Sequence, residues 1–241
     1  MKRAFTISVA VVVQAICFGL AMSQVPAQQL ARVVPRKQHY ENGSTKVFYG
    51  SDVSLQDALQ INDFLTKNVL PEPVPKVFKR PFPGDLFLAS AWAGTPGADL
   101  PRVFLLLRKE GANVHEVQRT RGWSGDWILE PTFFVGRDRI LIVAELGSEE
   151  YIGLQAFEFR DNRLRYLGSI DVGRRGKQES PFVSPLADAS AEYSNAAYQM
   201  VFRGELFDVS QRVAKRISKT GDSVRFTLKG DRFVPVLNQP R

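Results

Sequence analysis

The sequence has few of the side chains that most often supply reactive chemistry. It contains one cysteine, Cys17, and two histidines, His39 and His115. A disulfide needs two cysteines, and thiolate or histidine-rich metal sites need several ligands close together. The chain also has no nucleophile elbow, Walker-type loop, dinucleotide fingerprint or zinc-helix motif. We therefore expect no cofactor and no metal, and we assign no catalytic residue.

The N-terminal apolar run is too short to span a membrane as a helix. It occupies residues 7–20 and follows the basic residues Lys2 and Arg3. A transmembrane helix needs about 20 apolar residues, whereas a basic start followed by a shorter run is typical of a secretory signal. We predict a signal peptide over residues 1–23, with cleavage after Ala27 as the alternative. The mature chain would then have no cysteine and no transmembrane span, and would be periplasmic or extracellular.

The excess of positive charge is modest. The formal net charge of the whole chain is +7. Removal of the signal would take away two basic residues and no acidic residue, so the net charge of the mature chain would be 7 − 2 = +5. Nucleic-acid-binding domains concentrate Lys and Arg in one stripe, but here acids are interspersed throughout, so we expect no nucleic-acid partner. A mild positive balance is compatible with anionic polymers of the cell envelope.

The sequence divides into five segments. After the signal, residues 24–53 are mostly polar and lack sustained periodicity, which predicts an extended lead-in in which residues 46–49 could pair as one short strand. Residues 54–70 repeat apolar side chains at three- and four-residue steps behind a capping Ser54, which predicts a helix. Prolines are frequent over residues 71–84 and indicate an extended connector. Residues 85–241 are predicted to form an antiparallel β domain.

Short runs that alternate apolar with polar residues dominate the β segment, which indicates strands with one face in solvent, as over residues 154–160. Asp161-Asn162 and Gly230-Asp231 separate two pairs of such runs, as in tight hairpins. The predicted fold is therefore mainly β, an antiparallel meander of hairpins that is propeller-like or sandwich-like, with one N-terminal α-helix. A second short helix is an option within residues 187–197. The predicted strands are 86–92, 103–108, 114–120, 127–135, 140–146, 152–160 and 164–170.

One cluster of aromatic and charged residues suggests a ligand-binding site. Aromatic faces beside hydrogen-bonding charges can hold sugars or an extended ligand. The same pattern also suits a packed core tryptophan and a solvated loop. The predicted ligand-binding residues are Arg119, Arg121, Trp123, Asp126 and Trp127.

The leading hypothesis is an exported, non-enzymatic binding protein for an envelope or extracellular protein or polysaccharide. A first alternative is a secreted hydrolase that uses two carboxylates, because such pairs divide acid and base roles in glycoside cleavage. A second alternative is a structural or assembly component of the envelope. The carboxylate candidates for the hydrolase are Asp126, Glu130, Glu145, Glu149 and Glu150.

Overall fold

The chain folds mainly into β-strands. The computed structural model describes residues 27–68, 75–92, 102–121, 131–147, 151–176, 182–210 and 213–236. Within these ranges there is one α-helix, α1 (Leu55–Asn68), and one short 3-10 helix, Leu186–Asp188. The strands in chain order are β1 (Gln28–Val33), β2 (Lys37–Asn42), β3 (Thr45–Gly50), β4 (Lys76–Phe78), β5 (Leu86–Trp92), β6 (Arg102–Glu110), β7 (Asn113–Arg119), β8 (Thr132–Val135), β9 (Ile140–Gly147), β10 (Tyr151–Arg160), β11 (Arg163–Ile170), β12 (Val172–Arg175), β13 (Phe182–Val183), β14 (Ser190–Ser194), β15 (Ala197–Arg203), β16 (Leu206–Asp208), β17 (Lys215–Arg216), β18 (Ser223–Lys229) and β19 (Arg232–Val236).

A six-stranded sheet carries the helix on one face. Its strand order is β2-β3-β4-β5-β6-β7, and all neighbours are antiparallel except β3 and β4. The helix begins where the Ser54 hydroxyl accepts a hydrogen bond from the Asp57 N–H at 3.0 Å. The Asp57 carboxylate also pairs with Lys109 Nζ of β6 at 2.8 Å. Because Ile61 and Leu65 are fully buried against the sheet, an apolar face and an ion pair together fix the helix.

Nine strands form a closed barrel. Their order is β1-β14-β15-β18-β19-β11-β10-β9-β8, and β1 completes the circle by pairing with both β8 and β14. Large side chains such as Phe134, Tyr198 and Met200 fill the interior. The interior is therefore a hydrophobic core, as in other small barrels.

The barrel has one thin seam. Strands β11 and β19 run parallel and are joined by a single residue pair, Ser169 with Arg232. Gly168 lies beside this pair with a φ of 139°, and a Cβ atom there would lie 1.9 Å from the carbonyl oxygen of Asp231. Only glycine permits this approach, so Gly168 is required where the barrel closes.

The six-stranded sheet packs against the outside of the barrel. The contact is a second apolar cluster that joins β5 and β6 of the sheet to β8, β9 and β10 of the barrel. The ring of Phe82 lies edge-on to Phe133 at 5.6 Å and to Phe159 at 5.0 Å. Phe104 meets Phe157 in the same way at 5.3 Å. Successive layers are therefore helix, sheet, barrel wall and barrel interior.

A small four-stranded sheet, β13-β12-β16-β17, adjoins the barrel. Val172 and Leu206 extend from it into the barrel core. Arg174 of β12 donates a hydrogen bond to Asp188 at 2.6 Å. The same sheet contains Lys215 and Arg216 on β17, although these residues are far from Arg174 in the sequence.

The mainly β class, the hairpins and the N-terminal helix are confirmed, but the strands do not form specifically a propeller or a sandwich. They form a closed barrel and two further sheets. Closure depends on β1, whose partners β8 and β14 lie more than a hundred residues further along the chain. No local pattern in the sequence reports a pairing over that distance.

Three segments differ from their predicted character. The lead-in predicted over 24–53 contains β1 and β2, which pair with neighbouring strands despite their polar composition, and β3, which covers the short strand predicted over 46–49. The connector predicted over 71–84 contains β4, and the boundary predicted at residue 85 falls between β4 and β5, which pair with each other. The optional helix within 187–197 is wrong, because Ser190–Ser194 is strand β14 between β1 and β15.

Candidate functional site

The candidate site is built on the hairpin of β10 and β11. Asp161 and Asn162 form its turn with φ values of 51° and 57°. A two-residue turn with positive φ at both positions matches the twist of paired strands, which confirms the turn predicted at this dipeptide. The register places Arg160 directly opposite Arg163 and Glu158 directly opposite Arg165.

The two faces of this hairpin have different surroundings. Phe159 and Leu164 are buried in the cluster between the barrel and the six-stranded sheet. Because successive side chains of a strand alternate between faces, Arg160 and Arg163 lie on the opposite face. Like charges directly opposite each other across two strands are destabilising. Asp138 and Asp161 each lie 3.6 Å from Arg160 and offset this cost there, whereas Arg163 takes part in none of the ion pairs seen among the described residues.

An open groove of about 960 Å³ follows this face and the adjacent edge of β11. Three arginines and two acids contribute to its walls, so the charge of the lining is positive. The uncharged lining residues are two carboxamides, the exposed Val117 of β7 and the buried Leu164 of β11. The lining consists of Val117, Gln118, Glu158, Arg160, Asp161, Asn162, Arg163, Leu164 and Arg165.

A buried carboxylate fixes one side of the groove. The side chain of Glu158 is only 7% exposed and lies 2.8 Å from Arg165 Nη2. It also accepts a hydrogen bond from the Tyr198 hydroxyl at 2.7 Å, and Arg139 Nη1 lies 3.8 Å away. Burial, followed by this hydrogen bond to Glu158, raises the pKa of Tyr198. Tyr198 therefore stays protonated and holds Glu158, which in turn orients Arg165.

A second arginine lies behind Glu158. The Arg139 side chain is 7% exposed and makes two hydrogen bonds to Asp138, at 2.7 and 3.0 Å. These bonds are the main cause of a raised pKa for Arg139. Its guanidinium carbon also lies 3.6 Å from the ring centre of Tyr193. Arg139 is thus a fixed positive charge that compensates the buried Glu158.

Gln118 joins the edge of the six-stranded sheet to the hairpin. Its side-chain Nε2 donates to the carbonyl of Leu164 at 2.6 Å, and its Oε1 accepts from the Leu164 N–H at 2.8 Å. The carboxamide therefore satisfies two backbone groups of β11 that have no strand beside them. This contact holds β7 against the groove.

Two of the predicted ligand-binding residues lie in the described part of the chain. Arg119 makes two hydrogen bonds to Glu116, at 3.1 and 2.6 Å, which raise its pKa. The guanidinium of Arg121 lies 4.5 Å from the ring centre of Tyr166 on β11. Both arginines are next to the groove in the chain, but neither contributes to its lining. Trp123, Asp126 and Trp127 lie outside the described residues.

Only one of the five carboxylates of the predicted hydrolase lies in the described part of the chain. Glu145 is half-buried on β9, while Asp126, Glu130, Glu149 and Glu150 lie outside the described ranges. Among the residues that are described, no group of three metal-ligating side chains is present. The described chain also has no helix with the length and apolarity that a membrane crossing requires.

The groove residues were not predicted as a site from the sequence. In the sequence, the groove residues are visible only as charged residues that alternate with apolar ones over 157–165. We interpreted this pattern as a strand with one face in solvent. The additional information needed is the register, which puts two of the arginines opposite each other.

Comparisons with known proteins add no further evidence, because the chain matches no protein-family model, no curated protein and no solved structure.

Proposed function

We propose that this protein is an exported, non-enzymatic binding protein whose groove holds an anionic polysaccharide of the envelope or surroundings. The observation that carries the proposal is the cross-strand pair of Arg160 and Arg163, two exposed arginines that line the groove and of which only Arg160 is paired with acids, Asp138 and Asp161. Arginine presents a planar fork of donors that matches carboxylate and phosphate groups. An open groove suits an extended chain that enters and leaves it at both ends.

Export is supported by the basic start and the short apolar run at the N-terminus. Both predicted cleavage points, after Ser23 and after Ala27, precede the first residue of β1, Gln28. Either cut leaves the strand that closes the barrel intact. N-terminal sequencing of the protein recovered from its native cell should therefore begin at residue 24 or 28. Recovery of a chain that still begins at Met1 would contradict export with cleavage.

The binding proposal is tested by titrating the purified protein with polygalacturonate, a chain of carboxylates, and with neutral dextran. We expect saturable binding of polygalacturonate that weakens as salt rises, because exposed charges are screened. Arg163→Gln should weaken binding about tenfold, as the loss of one charge-assisted hydrogen bond implies. Arg216→Gln removes an arginine that is 56% exposed on the four-stranded sheet and should change the affinity by less than about twofold.

Two results would count against the proposal. Equal binding of dextran and polygalacturonate would show that the arginines do not select the ligand. Release of new reducing ends from the polymer would favour the carboxylate hydrolase instead.

A further inference from the structure

A second cleft lies at the thin seam of the barrel, away from the groove. Past the single pair of Ser169 with Arg232, β11 ends and the chain turns into β12, while β19 continues. The cleft of about 330 Å³ opens along this part of β19. That volume is at the lower end of the range of small-ligand sites, about 300 to 1,000 Å³. The site therefore suits a small group.

The interior of this cleft is apolar and aromatic. Phe226 and Phe233 belong to the barrel core and are each only 2% exposed, so their rings are held rigidly. Ile217, which packs against the same core, forms a further part of the wall. Aromatic faces attract cations as well as apolar groups. The interior can therefore hold a methylene chain that ends in a positive charge.

The polar groups at the cleft are mainly acceptors. Asp171 is paired with the Arg232 guanidinium. Asp208 accepts a hydrogen bond from the Ser210 N–H at 2.9 Å through Oδ1. Lys215 lies opposite Asp208 on β17 but is exposed, and Asp208 makes none of the ion pairs seen between described residues. Asp208 is thus the carboxylate left for a ligand.

The edge of β19 also favours a ligand that donates hydrogen bonds. Pro235, which lines the cleft, has no N–H to offer. It pairs with Phe226 of β18 within the ladder, and proline is tolerated in a strand where its nitrogen faces an open edge. An edge with a missing donor resists the addition of another strand. A peptide backbone is therefore a poor occupant, and the carbonyls and carboxylates that remain require a donor.

We propose that this cleft binds a primary alkylammonium group, from a small free amine or from a lysine side chain of a partner. The ammonium pairs with Asp208, and the methylene chain packs on Phe226, Phe233 and Ile217. Arg232 neutralises Asp171 and closes the other side of the site. This site is independent of the polysaccharide groove, because the two clefts share no lining residue.

The test is a titration of the isotope-labelled protein with pentylammonium, Nα-acetyl-lysine methylamide and pentan-1-ol, followed by amide chemical shifts. We expect at least one of the amines to saturate, with the largest shifts around Asp171, Ser210 and Phe233, and the alcohol to bind at least about tenfold more weakly. If both amines saturate the cleft, an alkylammonium group alone is sufficient for binding. Saturation by the lysine derivative alone identifies a protein side chain as the source.

Asp208→Asn is the matched variant, because its amide oxygen can still accept the Ser210 N–H while the charge is lost. It should weaken amine binding at least about tenfold. Asp63→Asn, on the solvent side of α1 and 61% exposed, should leave it unchanged. The proposal is overturned if neither amine saturates, if the alcohol binds as well as the amines, or if Asp208→Asn binds like the wild type. If Asp208→Asn does not fold, the titration of the wild-type protein is decisive. Amide chemical-shift changes centred outside this cleft would then overturn the proposal.

Discussion

The two faces of the β10–β11 hairpin share one backbone and have opposite roles. On one face, Phe159 and Leu164 are each 5% exposed and join the barrel to the six-stranded sheet. On the other face, Arg160 and Arg163 are opposite each other beside an open groove. The first face buries apolar area, which stabilises the fold. The second places like charges together, a cost that Asp138 and Asp161 offset at Arg160 and that the proposed anionic ligand would offset at Arg163.

On this one hairpin, a tightly packed face therefore lies directly behind an exposed, charged face. Glu158 is part of this arrangement, since it is buried under Tyr198 and holds Arg165 in place. Substitutions on each face test this division of roles.

Phe159→Ala should cause the largest loss of stability. The ring packs edge-on against Phe82 at 5.0 Å between barrel and sheet, and truncation of a buried phenylalanine costs about 3 to 5 kcal/mol. Chemical denaturation measures the free energy of unfolding. Val213→Ala, at a residue that is 82% exposed, should change it by less than about 0.5 kcal/mol. A loss below about 1 kcal/mol for Phe159→Ala would contradict the structural role of this face.

Gln118→Ala should have an intermediate effect. It removes the two hydrogen bonds to the backbone of Leu164, for which we expect a loss of about 1 to 2 kcal/mol. In hydrogen exchange, the Leu164 amide should be protected in the wild type and exchange faster in the variant. Gln38→Ala, on the exposed face of β2, serves as the control. Unchanged protection at Leu164 would show that the carboxamide does not join the two sheets.

Asp57→Asn should have a smaller effect that depends on pH. Burial alone would raise the pKa of Asp57, but hydrogen bonds with Lys109 and Ser54 outweigh it and lower the pKa below the ordinary 3.8. A lowered folded-state pKa adds stability that is fully present above the unfolded value and is lost as pH falls through the folded value.

We therefore expect Asp57→Asn to be less stable than the wild type by about 0.5 to 1 kcal/mol at pH 7. The difference should shrink as pH falls below 3.8. Urea unfolding of both proteins at pH 7, 5 and 3 measures it. A difference that grows toward acid pH would contradict the pairing of α1 with β6.

Local elements of this fold could be predicted from the sequence, whereas the contacts that create the groove could not. The turn at Asp161-Asn162 is encoded by two adjacent residues that tolerate positive φ. Gln118 has no local signal, because its partner Leu164 is 46 positions away. Glu158 belongs to a strand face that we interpreted as solvated, but Tyr198, 40 positions further on, buries it.

The barrel itself shows the same limit. In β1, Gln28–Val33, only Leu30 enters the core cluster of the barrel, so the segment has the composition of a polar lead-in. It is a strand because β8 and β14 supply partners on both sides. Tertiary pairing therefore overrides local propensity at this position.

The free energy of unfolding of the wild type and of Arg163→Gln, each measured with and without saturating polygalacturonate, separates the packed face of the hairpin from the proposed binding face. Without the polymer, Arg163→Gln should be as stable as the wild type or up to about 0.5 kcal/mol more stable, because a like-charge contact is relieved. With the polymer, the wild type should gain stability, since a ligand that binds only the folded state raises it, and the variant should gain much less. Equal gains for both proteins, or a variant that is clearly destabilised without the polymer, would contradict a structural face and a binding face on one hairpin.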